Sequence, residues 1–137
     1  MYKRMHIDHI GIAVENLDEA VDTYSKILNS TPYKREVVEE QKVETVFFKT
    51  GESKVELLGA TSTDSVIATF IRKKGPGIHH IAFEVEDLDQ EIKRMQSEGY
   101  KLLSDKPSKG ADNKIIVFLH PKETGGVLVE LCQTIVD

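Results

Sequence analysis

Two histidines and two glutamates stand out because they recur at nearly one interval. His9 and His80 lie 71 residues apart, and Glu56 and Glu130 lie 74 apart. Each His opens an alternating run, Ile10-Gly11-Ile12-Ala13-Val14 after the first and Ile81-Ala82-Phe83-Glu84-Val85 after the second. Each Glu interrupts an apolar run, Val55-Glu56-Leu57-Leu58 and Val127-Leu128-Val129-Glu130-Leu131. An ionised carboxylate inside such a run is costly to bury unless it is paired or bound to a cation. Two imidazoles and two carboxylates together form a donor set for a borderline or hard divalent ion, with an open position for water or substrate. A lone His on a strand is more often a satisfied structural residue, and a lone strand Glu often sits on a solvated face. The repetition of both, in one order, favours ligands at His9, Glu56, His80 and Glu130.

The elements that must position these residues follow from a duplication. Residues 9–18 align with residues 80–89, and six of the ten pairs are identical. Self-similarity at half the chain length means two copies of one supersecondary unit. Each copy opens with a strand whose Ile, Phe and Val residues share one face, leaving the His on the other beside small Gly11, Ala13 and Ala82. His6, His79 and Asp8 fall on the other parity and read as structural or exposed. Asn16 and Asp87 then sit where an N-cap belongs, three residues before Glu19 and Gln90. Helical stripes follow at Leu17, Ala20, Val21, Tyr24, Ile27 and Leu28, and at Leu88, Ile92 and Met95, with Gly99 at the expected stop. Strands are predicted at 33–39, 43–50 and 54–59 in the first copy and at 101–104, 115–120 and 127–133 in the second. A short connecting helix is expected within 61–74, before the hinge Lys73-Lys74-Gly75-Pro76-Gly77. The fold class is therefore α+β, with two tandem βαβββ modules. The expected organisation is one domain over residues 1–137: module one about 5–60, a connector about 61–77, and module two about 78–135.

Composition narrows the function. The chain has 137 residues, 39% hydrophobic and 30% charged, with net charge -5. This suits a globular chain with a real core and offers no basic footprint for nucleic acid. The single cysteine, Cys132, excludes an internal disulfide and points to a reducing compartment. It shares the parity of Glu130 and reads as a small buried hydrophobe. No apolar run reaches membrane-spanning length, so no membrane partner is expected. The opening Met1-Tyr2-Lys3-Arg4-Met5-His6 has no apolar signal core, and a cytoplasmic location is expected.

The paired units, with His on the first strand and Glu on the last, resemble the vicinal oxygen chelate superfamily (the glyoxalase, bleomycin resistance and dioxygenase group). The nearest likeness is the methylmalonyl-CoA epimerase family, over essentially the whole chain. It rests on Ile7–Val14, Glu39-Glu40-Gln41-Lys42-Val43, Gly77–Val85, Phe118–Lys122 and Gly125–Leu131. The resemblance implies one curved eight-stranded mixed sheet around a divalent ion: cobalt, zinc, manganese or nickel. It implies that His9, Glu56, His80 and Glu130 hold that ion in a homodimer acting on an acyl-CoA. The implied reaction is inversion at C2 of methylmalonyl-CoA by proton removal and return through an enolate, with Glu130 as one acid/base. For the second acid/base, some members carry a Glu where this chain has Thr45; the adjacent Glu44 lies on the other parity unless a bulge re-aims it. Lys114 and Lys122 are candidates for CoA phosphates. Three other functions share the fold: a glyoxalase I-type lyase acting on a glutathione hemithioacetal, an extradiol iron dioxygenase, and a metal-free small-molecule binder.

Overall fold

The structure is a computed structural model and describes residues 5–136. The reading of the first four residues as free of a signal core lies outside the described residues. The element order is β1 (His6–Ala13), α1 (Leu17–Leu28), β2 (Lys34–Val38), β3 (Val43–Thr50), β4 (Ser53–Ala60), α2 (Val66–Lys74), β5 (Gly77–Glu84), α3 (Leu88–Ser97), β6 (Ser108–Lys109), β7 (Lys114–Leu119) and β8 (Val129–Thr134). The eight strands form one mixed sheet ordered β2-β3-β4-β1-β5-β8-β7-β6. This is the α+β class expected from the duplication. By internal contacts the chain divides into two compact units. One is His9–His79; the other begins at His80 and includes the residues up to Asp8.

In the His9–His79 unit, β1 runs parallel to β4, with Gly11 opposite Glu56, and β4-β3-β2 are antiparallel neighbours. The helix α1 starts where Asn16 Oδ1 accepts the Glu19 N–H at 3.0 Å. It stops at Asn29, in the left-handed region at φ 50°, which Asn tolerates better than most residues. Its apolar stripe, Leu17, Ala20, Val21, Tyr24 and Leu28, covers buried Val46, Phe48 and Leu57. Tyr24 is therefore core. Truncating Phe48 to Ala is expected to cost about 3–5 kcal/mol through lost transfer energy and the cavity left behind. The connecting helix α2 lies within the expected 61–74 and ends with it at Lys74. The helix begins after Ser65, whose Oγ accepts the Ala68 N–H at 3.0 Å.

In the other unit β5 runs parallel to β8, with Ala82 opposite Glu130, and β8-β7-β6 are antiparallel. Leu88 and Ile92 of α3 pack with Val85, Val117, Leu119 and Leu131. The strand expected at 101–104 is a correction. Only Leu102 bridges, to Leu119, and the regular edge strand is β6, farther along. Leu103 N–H reaches Phe118 O at 2.8 Å, so the stretch does follow β7. Ser104 then turns onto Lys106, and Pro107 has no N–H to give, so the ladder resumes only at Ser108.

Candidate functional site

Within the first unit, Gly11 has no side chain beside Glu56, so the carboxylate can lean toward His9, two residues earlier on β1. His9 Nε2 lies 3.2 Å from Glu56 Oε1, and both side chains are 6% exposed. Phe47 stands directly across from Glu56 on β3. Its ring meets the His9 ring edge to face, with centroids 6.1 Å apart and planes at 89°.

The second unit repeats this arrangement. His80 Nε2 lies 3.3 Å from Glu130 Oε1, with the side chains 4% and 6% exposed. Glu130 stands between small Ala82 on one side and Phe118 on the other. Phe118 meets the His80 ring at 5.9 Å and 90°. The structure thus brings His9 to Glu56 and His80 to Glu130, one imidazole–carboxylate pair per unit. Phe47 and Phe118 were not picked out from the sequence. The signal was present, since both are Phe and lie 71 residues apart, like the two His.

Each pair fits half of a metal site. Imidazole and carboxylate ligands at about 2.0–2.2 Å from one cation stand roughly 3.0–3.5 Å from each other. The observed N–O spacings of 3.2 and 3.3 Å fall in that interval. The same spacing suits a hydrogen bond from Nε2–H, so a proton and a cation are alternative occupants. All four residues are buried. Such donors suit a borderline or hard divalent ion.

The structure corrects two of the other candidates. Glu44 cannot be the second base by way of a bulge. The ladders from β3 to β2 and β4 continue unbroken through it, with Val37 and Gly59 as its partners. Its carboxylate instead takes the Arg35 Nε–H at 2.7 Å, and Arg35 also bonds Asp18 of α1 at 2.8 Å. The Glu44 bond, ahead of the Asp18 bond, holds the guanidinium above its ordinary range. Lys114 is not free to meet a phosphate. It is buried, with Nζ 2.6 Å from Glu84, 2.7 Å from Thr134 Oγ1 and 3.2 Å from Asp8. Burial pulls its ammonium down, but Glu84 and then Asp8 outweigh that and leave it above its usual value.

The remaining candidates are placed plainly. Thr45 is 1% exposed and shares the face of Phe47. Lys122 is exposed in a 3₁₀ turn, Pro121–Glu123. Cys132 is fully buried with Ala82 and Ile116, and burial first, then Glu130, pushes its thiol far up. That leaves it a small hydrophobe. His6 is 3.5 Å from Glu84 and half exposed, while His79 meets Phe70 edge to face at 4.9 Å. No helix among the described residues is long and apolar enough to cross a membrane.

Comparison with known proteins places the chain in a family. Residues 8–118 match the Glyoxalase/Bleomycin resistance protein/Dioxygenase superfamily. The chain is 42% identical to the uncharacterized protein YqjC of Bacillus subtilis (strain 168), over 93% of this chain and 91% of that one. It is 38% identical to the mitochondrial methylmalonyl-CoA epimerase of Homo sapiens, over 93% of this chain and 73% of that one. Among solved structures, a Streptomyces coelicolor methylmalonyl-CoA epimerase variant in complex with 2-nitronate-propionyl-CoA superposes with a TM-score of 0.90. It is 38% identical, over 94% of each chain.

Proposed function

Because the chain belongs to the glyoxalase/bleomycin resistance protein/dioxygenase superfamily, we propose that it is an isomerase that inverts C2 of methylmalonyl-CoA. The observation that carries this reading is the buried His–Glu pair present once in each repeat, in a chain whose relatives include epimerases of that substrate. In this reading His9, Glu56, His80 and Glu130 together hold one divalent ion: cobalt, zinc, manganese or nickel. When bound, such an ion supplies positive charge beside the thioester oxygen, where negative charge develops.

The C2 proton is acidified by the thioester carbonyl and the neighbouring carboxylate. Glu130 is the acid/base on one side of C2: its carboxylate takes the proton, and its acid form returns one. Phe47 and Phe118 fix the two imidazole planes and keep water from the donors, which strengthens every charge interaction there. The chain acts on a small-molecule acyl-CoA, as a homodimer, in a reducing compartment such as the cytoplasm. The buried free thiol of Cys132 suits that compartment.

The test follows deuterium entry at C2 of methylmalonyl-CoA, with and without a chelator, alongside elemental analysis of the purified protein. The expected result is one divalent ion per chain, exchange that stops on chelation, and inversion slowed by about 10²–10⁴-fold in Glu130→Gln. Undiminished inversion in Glu130→Gln removes that residue from its role. Turnover of a glutathione hemithioacetal instead of the CoA ester moves the chain to the lyase reading.

A further inference from the structure

Inversion needs proton transfer on both sides of C2, and one carboxylate serves only one side. With Glu44 turned away and Thr45 lacking an acid, the second group must come from elsewhere. The strand register of the His9–His79 unit restricts the choice. Residues directly opposite in an antiparallel ladder point to the same face. Glu56 pairs with Phe47, which pairs with Lys34; Leu58 pairs with Thr45, which pairs with Glu36. His9, Gly11 and Ala13 complete this face on β1. Among the described residues of these four strands, Glu36 is the only carboxylate on that face besides Glu56.

The setting of Glu36 suits the task. Its side chain is 29% exposed, enough to reach a substrate and too little to be a solvated ornament. Lys34 Nζ stands 3.6 Å from its Oε1, and Thr45 Oγ1 donates to its backbone carbonyl at 3.4 Å. β2 lies two strand spacings, about 10 Å, from β4. A glutamate side chain and a malonyl unit span such a gap together.

We propose that Glu36 is the second acid/base, acting from the register position opposite Thr45. This rests on the epimerase reading above. In one direction the C2–H bond breaks, its electron pair passes into the thioester enolate, and the proton forms an O–H bond on Glu36. Glu130 then delivers its proton to the other side of C2, leaving each carboxyl in the state the reverse reaction requires. No oxidant or further reactant enters.

The experiment presents each epimer of methylmalonyl-CoA separately in deuterated water and follows inversion and deuterium entry with retention. In Glu36→Gln, inversion of both epimers should fall by about 100-fold or more. Deuterium entry with retention should persist for one epimer, and Glu130→Gln should preserve it for the other. Glu36→Asp, which keeps the carboxyl, should recover at least about tenfold of the inversion lost in Glu36→Gln. Inversion near the unmodified rate in Glu36→Gln overturns the proposal. So does equal loss of exchange for both epimers at unchanged thermal stability. If Glu36→Gln does not fold, Glu36→Asp decides alone: selective slowing for one epimer supports the role, and equal rates overturn it. If the unmodified protein neither exchanges nor inverts either epimer, the epimerase reading itself fails, which is a different result.

Discussion

The two copies agree closely at one end of the sheet face and differ completely at the other. Around the candidate ligands, His9, Phe47 and Glu56 have counterparts in His80, Phe118 and Glu130, down to the ring geometry. At the far end, Ala13, Val43 and Ala60 of the first copy correspond by register to Glu84, Lys114 and Thr134 of the second. The first set is apolar because α2 covers it: Ile67, Phe70 and Ile71 pack on Ala13, Val43 and Leu58. No helix follows β8 among the described residues, and the second set is a partly buried ion network around Lys114. Lys114 bonds Glu84, Thr134 and Asp8, and Thr134 Oγ1 donates to Glu84. A duplicated unit keeps what chemistry requires twice, while the cover over each copy decides the rest.

The largest expected effect comes from breaking the network on one side only. Lys114→Met leaves buried Asp8 without its cation, and unfolding measurements should show a loss of about 3–5 kcal/mol. A loss below about 1 kcal/mol would mean that water already screens the network. A smaller effect is expected when the second copy is rewritten as the first. The triple change Asp8→Ala, Glu84→Ala and Lys114→Val, the last two as in the first copy, removes the charged partners together, so it should recover at least about 1 kcal/mol of the Lys114→Met deficit. A triple variant less stable than the single one would show that the ions stabilise the fold outright.

The smallest effect is in the pH profile. Burial pushes the Glu84 carboxyl up, but Lys114 and Thr134 outweigh it and leave it below its usual value of 4.5. Its contribution is therefore present above that value and lost as pH falls further. Lys114 sits above its usual 10.5, so its contribution is present below 10.5 and lost as pH rises through the higher folded value. Stability of the unmodified protein should drop relative to the triple variant below about pH 4.5 and above about pH 10.5, and run parallel between. Parallel curves throughout would leave the network without influence.

Much of the fold was legible because periodicity is local. The strand at Val43–Thr50 ends where the alternation ends, and both helix starts follow from Asn16 and Asp87. Each His and each Glu of the candidate site was legible too, since a charged residue inside an apolar strand run contradicts its surroundings twice, at matching places. The break at 104–107 was not legible, because a run such as Lys101–Ser104 can pair without becoming a regular strand.

The amino-acid order by itself determined the duplicated plan, the faces of each strand, and the four donors that need company when buried. Only the tertiary structure decided which distant groups keep that company. It set Lys114 beside Asp8, turned Glu44 to Arg35, and placed Glu36 across from Thr45. The physical reason is that face depends on neighbours along the chain, whereas register depends on hydrogen-bond ladders closed between segments far apart in it.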